Sequence, residues 1–361
     1  MKLLVLRFSS IGDIVLTSPV LRCVKQQVKD VELHFATKTA FTDLVAHSPH
    51  VDRVHTLGDD LGDLIQRLKG ERFDAVIDLH NNLRTARIKR ALGVPAHSFP
   101  KLNIEKWLLV NLKIDRMPRV HIVDRYLSTV EHLGVKNDGQ GLELFIPAER
   151  EVDLRTLPEP HRNGYTVLAI GGAHATKRLP QRRLIELAGL MEGPIVIIGG
   201  GEDQAVARAI VNAVGGRVFD TTGSHDILGS ASLIKQARAV IAHDSGAMHI
   251  ACAFSNSSAG SIAAEPITFA GSLAEDPARS ARAARSLSGD PAKVVVSIWG
   301  NTVPSFGMGP YIPLHPENAR IAEVLGLSCR PCSKIGYDQC PKGHFHCMEK
   351  QDLRTIATLA K

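Results

Sequence analysis

Two series of short apolar runs, each run ending in a polar or glycine-bearing turn, constrain this 361-residue chain more than any other feature. In the first series, residues 3–6, 32–36 and 75–79 read as strands, and 15–28 and 61–69 as amphipathic helices between them. A polar, proline-bearing link follows ("PAERE" and "TLPEPHRNG", within 147–164), and then the rhythm restarts. Residues 166–170, 194–198, 239–242 and 293–299 read as strands, and 184–191 as a helix. Strand–helix alternation of this kind predicts an α/β fold with two Rossmann-like domains in tandem. Each has a mostly parallel sheet, with a cleft between the carboxyl ends of the strands. The expected division is 1–155, 156–328 and a cysteine-bearing tail, 329–361, packing back on the first domain. The length agrees, being too great for one ordinary core.

Composition narrows the function classes. Hydrophobic residues make up 44% and charged residues 22%, the balance of a globular protein, and nothing approaches the ~18 uninterrupted apolar residues that span a bilayer. Residues 3–6 are too short for the core of a signal peptide, and Arg7 and Asp13 break any longer apolar run, so a cytoplasmic protein is expected. Net charge is +6, unevenly spread: 84–119 holds nine basic residues (Arg84, Arg87, Lys89, Arg90, Lys101, Lys106, Lys113, Arg116, Arg119) against Glu105 and Asp115. Such a stretch faces phosphates or an anionic membrane surface, or is a plain solvated face. Nucleic acid fits poorly, because only Phe99 and Trp107 interleave as stacking aromatics.

The polar residues gather where strands end, which is where α/β proteins bind ligands. In "RFSSIGDIVLTSPV" (7–20), Asp13 either caps a helix or accepts a proton at the mouth of a cleft, with Ser10 and Gly12 beside it. In "HDSGAMH" (243–249), Asp244 and Ser245 precede a helix whose first amides, from Ser245 through Gly246 to Ala247, form a seat for a diphosphate or are simply capped. "ATKRLP" (175–180) supplies Lys177 and Arg178, the cations a departing pyrophosphate needs, or an ordinary surface pair. "GGGED" (199–203) offers Glu202 to ribose hydroxyls but lacks the spacing of either GxGxxG or GxxxxGK[ST]. The tail spaces Cys329, Cys332, Cys340 and Cys347 as C-x2-C-x7-C-x6-C; without a second C-x2-C knuckle, packing is favoured over zinc. The Ala- and Ser-rich stretch 255–292 stands where a short turn would suffice and reads as an atypical insert.

"RFSSIGDIVLTSPVLR", "ATKRLP", "HDSGAMHIACA" and "SIWGNTVPSFGMGPY", in that order, resemble the heptosyltransferases of glycosyltransferase family nine, and the likeness extends into the cysteine-bearing tail. The resemblance implies a GT-B, inverting enzyme that moves heptose from ADP-heptose to the inner core of lipopolysaccharide, an anionic glycolipid. The first domain would bind acceptor and the second nucleotide sugar. It further implies Asp13 as general base, Lys177 and Thr176 at the donor phosphates, Asp244, Ser245, Gly246 and His249 as the donor turn, and Glu202 at the ribose. Arg178 and Ala247 join the donor set, and Ser10, Gly12, Arg84 and Arg87 the acceptor set. No tightly bound cofactor is expected; with no Asp-x-Asp motif, Mg2+ would assist only from solution. The expected location is cytoplasmic, peripheral at the inner face of the membrane. Two alternatives stay open: a GT-B-like transferase or epimerase using another nucleotide sugar, and a non-catalytic nucleotide-binding protein inactivated by the insert.

Overall fold

The computed structural model describes residues 1–255 and 293–361; apart from Ser255, the expected insert lies outside the described residues. The first sheet comprises β1 (Lys2–Leu6), β2 (Glu32–Lys38), β3 (Arg53–Leu57), β4 (Ala75–Asp78) and β5 (Ala96–Ser98), all parallel, in the order β3-β2-β1-β4-β5. The second comprises β6 (Thr166–Ala169), β7 (Ile195–Ile198), β8 (Val218–Asp220), β9 (Ala239–His243), β10 (Val294–Trp299) and β11 (Ala319–Glu323). These too are parallel, in the order β11-β10-β9-β6-β7-β8. Strand order reverses between β1 and β4 and between β6 and β9, the places where open α/β sheets part to admit ligands.

The central strands are apolar on both faces because helices cover both. Leu3, Leu4, Val5 and Leu6 are fully buried, Leu3 and Val5 in a different cluster from Leu4 and Leu6. The first of these clusters runs on through Met248 and Trp299, so the two sheets share one apolar layer. No helix among the described residues is long and apolar enough to cross a membrane.

Two expectations fail. The single helix over 15–28 is two, Ile11–Val15 and Ser18–Gln27. Thr17 and Ser18 turn their hydroxyls back onto the carbonyls of Ile14 and Val15, and Pro19 suits only a first turn. The tail packs on the second sheet rather than the first. Cys347, Met348, Leu353 and Ile356 share a core with Leu184, Leu187 and Ile298, and Gln351 Nε2 donates to the Trp299 carbonyl at 3.0 Å. Lys113 Nζ meets the start of the tail from the first half, donating to the carbonyls of Cys329 (3.2 Å) and Pro331 (2.6 Å).

Candidate functional site

Leu6 lies level with Ala36 on β2 and Asp78 on β4, so the turn after β1 opens at the end of the sheet. Ser10 caps the Ile11–Val15 helix, and Asp13 Oδ2 accepts from both its backbone N–H (3.1 Å) and its hydroxyl (2.8 Å). Asp13 is therefore a cap. It is also paired: Arg7 Nη2 stands 2.7 Å from Oδ1, and the side chain remains 20% exposed. Burial raises the Asp13 carboxyl, but Arg7 and the Ser10 bonds outweigh it and hold the group below its ordinary range. Arg7 itself is locked, donating to the carbonyls of Ser9 (2.8 Å) and Leu79 and to the Tyr126 hydroxyl (2.8 Å).

Cations crowd this end of the first half. Burial, with help from Arg125 and Lys334, pushes the Lys106 ammonium down to about 8, while Asp13 acts the other way. Burial and Arg7 lower Lys101 as well. Burial takes His80 down to about 4. The Arg84 guanidinium lies 5.6 Å from the ring centre of Phe8, two residues before Ser10. Arg84 and Arg87 also line an open pocket of about 720 Å³ beyond β2 and β3, with Lys38, Thr39 and Leu83; Asp13 is not in that lining. The expected acceptor residues thus fall into two neighbouring places rather than one.

In the second half, Ala169, Ala242 and Ile198 are level across β6, β9 and β7, bringing the loops after them to one end. Lys177 Nζ lies 2.6 Å from Asp244 Oδ2, and Thr302 Oγ1 donates to the same oxygen at 2.7 Å. Arg178 pairs with Asp203 (3.2 Å), whose other oxygen accepts from the Gly200 amide. Glu202 is exposed beside it. Ser245 caps the Gly246–Ala253 helix from an extended backbone, and its hydroxyl has no partner among the described residues. Gly246 and Ala247 are partly exposed at the same helix start. Eight residues of aligned dipole and a buried, unpartnered Ser245 hydroxyl give that start the electrostatics to favour an anion.

Thr176 is not part of this surface. It is buried, donating its hydroxyl to the Tyr337 carbonyl (3.0 Å) and accepting from the Tyr337 amide (2.8 Å), so it fixes the tail rather than a phosphate. The reading of Gly12 also changes. A Cβ there would stand 2.4 Å from His249 Cδ2 and 3.3 Å from Gly246 Cα, while one on Gly246 would meet Ile11 Cγ2 at 2.8 Å. The glycines admit each other's helix, not a ligand. His249, buried at this contact, is driven by burial to about 4 against the pull of Asp244 and Asp13.

Sequence reasoning missed Arg7, Thr302 and Asn301. Arg7 was visible as a cation directly after an apolar run. Thr302 and the buried Asn301, whose amide atoms have no partner among the described residues, both sit in "SIWGNTVPSFGMGPY". The four tail cysteines lie near enough to act on one another, the other three adding to the burial that raises the Cys347 thiol, but no three of their sulfurs come within 4.8 Å of one another. Among the described residues, the group of possible ligand atoms within 4.8 Å of one another is His34, His55 and Glu71. Those three already bond internally and to Lys2 and Arg53, which suits a salt-bridge network better than a cation.

A family model for glycosyltransferase family 9 (heptosyltransferase) matches residues 61–260. A curated relative, lipopolysaccharide heptosyltransferase 1 of Campylobacter coli, is 27% identical over 139 residues, covering 36% of this chain and 40% of that protein. The match therefore spans well under two thirds of the relative. Among solved structures, the glycosyl transferase family 9 protein of Veillonella parvula matches with a TM-score of 0.71 at 18% identity, over 99% of this chain and 96% of the other. The E. coli ADP-heptose lps heptosyltransferase II matches with a TM-score of 0.63 at 17% identity, over 99% of both. At these identities the structural likeness is one of fold.

Proposed function

Since the chain belongs to glycosyltransferase family 9, we propose that it moves heptose from ADP-heptose to the inner core of lipopolysaccharide with inversion, working at the cytoplasmic face of the membrane. The acceptor hydroxyl oxygen attacks the anomeric carbon from the side opposite the diphosphate. The new C–O bond forms as the bond to the diphosphate oxygen breaks, and the hydroxyl proton passes to Asp13. ADP leaves with the electron pair.

The observation that carries this reading is the held, partly exposed carboxylate of Asp13, with a cation and a helix start in the facing half. Arg7 and Ser10 fix its orientation, so proton acceptance needs no side-chain search. Their pull also makes Asp13 a weak base, suited to taking the proton late, once bonding to the sugar has made the hydroxyl acidic. On the donor side, a diphosphate at the Ser245–Ala247 amides would draw Lys177 Nζ from Asp244. Thr302 would remain on Asp244, so that carboxylate keeps a partner while the lysine meets the leaving charge. Glu202 and Arg178 stand beside this place as ribose and phosphate contacts, and Mg2+ enters only from solution. Arg84, Arg87, Lys101 and Lys106 offer positive charge to the anionic acceptor.

The test is turnover of ADP-heptose with a lipopolysaccharide acceptor lacking core heptose, on the full chain and on Asp13→Ala. Activity that falls ~100-fold or more in the variant supports the reading. Heptose transfer that persists in Asp13→Ala overturns the base, and transfer only from UDP- or GDP-sugars overturns the donor.

A further inference from the structure

The helix Asn103–Trp107 runs directly into a π-helical turn, Leu108–Leu112, and the pair carries apolar side chains on its outer as well as its inner side. Its solvent side carries Ile104 (73% exposed), Trp107 (56%) and Leu112, and Ile114 and Val120 come after, also exposed. Among the described residues, ten large hydrophobic side chains are exposed, and five of them lie within 104–120. Scattered apolar residues on a surface need no explanation, but such a concentration does.

Looseness does not account for it. The other side of the segment is anchored: Leu109 and Met117 pack on Phe306, with Leu102, Val110 and Val303 around them. Lys113 pins the turn by donating to Val110 (2.8 Å) and to the tail carbonyls. The chain thus holds an apolar ridge outward on a fixed base.

Charge selects the occupant. Between 101 and 119 stand Lys101, Lys106, Lys113, Arg116 and Arg119 against Glu105 and Asp115, and neither Lys106 nor Arg116 has a salt bridge among the described residues. Apolar side chains with an indole among them, flanked by basic residues, match the boundary between anionic headgroups and acyl chains. A protein partner would need an acidic rim around an apolar pocket; an indole beside cations without ion-pair partners among the described residues favours the lipid boundary. We propose that residues 103–119 dock the protein on an anionic bilayer, with Ile104, Trp107 and Leu112 entering the headgroup–acyl boundary and Arg116 and Arg119 at the phosphates. The inference rests on a membrane-lodged acceptor, yet its test needs neither acceptor nor donor, so either reading can fail alone.

The chain contains two tryptophans, and Trp299 is buried, so the environment-sensitive part of the fluorescence reports Trp107. The experiment adds vesicles of phosphatidylcholine, with or without phosphatidylglycerol, to the full chain, and follows emission and co-sedimentation. A blue shift and binding with the anionic vesicles are expected. Binding should weaken at least ~10-fold in the triple variant Ile104→Ser, Trp107→Ser, Leu112→Ser, with an unchanged thermal midpoint because the three side chains are exposed. Arg116→Glu with Arg119→Glu should weaken it too, and added salt should do the same. Three results overturn the inference: no binding by the full chain, binding that the triple variant retains, or a concentration-dependent dimer that the triple variant abolishes, which would make a second copy the occupant.

Discussion

Both halves of the molecule place an aspartate beyond the carboxyl end of a strand and set a cation of the same half against it, Arg7 on Asp13 and Lys177 on Asp244. The cations differ in how they are held. Arg7 is buried and has three further acceptors, whereas Lys177 has Asp244 as its ion-pair partner, and Thr302 bonds that carboxylate independently. A guanidinium with a fixed fork suits a permanent brace; an ammonium on a flexible stem suits a group that changes partners. The first pair is built to hold a carboxylate still; under the proposed function, the second would free a cation for a diphosphate.

The largest effect should come from the braced carboxylate. Asp13→Asn keeps the shape and can still accept from Ser10, so turnover should drop ~100-fold or more, out of proportion to a modest fall in thermal midpoint from the charge lost beside Arg7. A parallel loss of midpoint and turnover would reduce Asp13 to a cap. Next comes Lys177→Met, which should cost on the order of 100-fold in turnover and leave folding intact, since Thr302 still satisfies Asp244. If instead its midpoint collapses, Lys177 is as structural as Arg7 and the contrast between the halves disappears. Arg7→Met should act mainly on stability, by about 3 kcal/mol, because it strands the Leu79 carbonyl, the Tyr126 hydroxyl and Asp13 together. Denaturant titration reads this directly.

The smallest effect per group is on pH dependence. Burial holds His243 and His249 at about 4, below the ordinary 6.5, so both stay neutral in the fold while the unfolded chain takes up protons. Their contribution is present above pH 6.5 and declines as pH falls towards 4. His55 and His80 in the first half, at about 4, add to the same slope. Asp13, held below its ordinary range, contributes loss only at lower pH. Thermal midpoints for His249→Asn should show a shallower fall across this window; curves parallel to the parent would remove His249 from the account.

How much of this was legible depends on the burial of each strand. The sequence pattern located β1, β2, β4, β6, β7, β9 and β10 and missed β3, β5, β8 and β11, and those four are the edges of the two sheets. An inner strand covered on both faces must be continuously apolar, as "LLVL" and "IVII" are, whereas "RVHTL", "AHS" and "ARIAE" have one neighbour and tolerate charge. The site shows the same limit. Asp13, Lys177 and Asp244 were visible because each comes after an apolar run. Their pairings were not, because Lys177 and Asp244 come from separate loops and meet only when β6 and β9 lie side by side. Thr176 misled for the same reason: its partner, Tyr337, lies far along the chain. Gly12, placed in the acceptor set, makes room instead for the helix that begins at Gly246.

That glycine contact also sets how closely the two halves approach. Gly12 and Gly246 meet backbone to backbone, one residue from Asp13 and two from Asp244. A Cβ at either position would run into His249 or Ile11 and push the two turns apart. The width of bare backbone is therefore the gauge that spaces the two aspartate-bearing turns, and a single methyl group on either side would reset it.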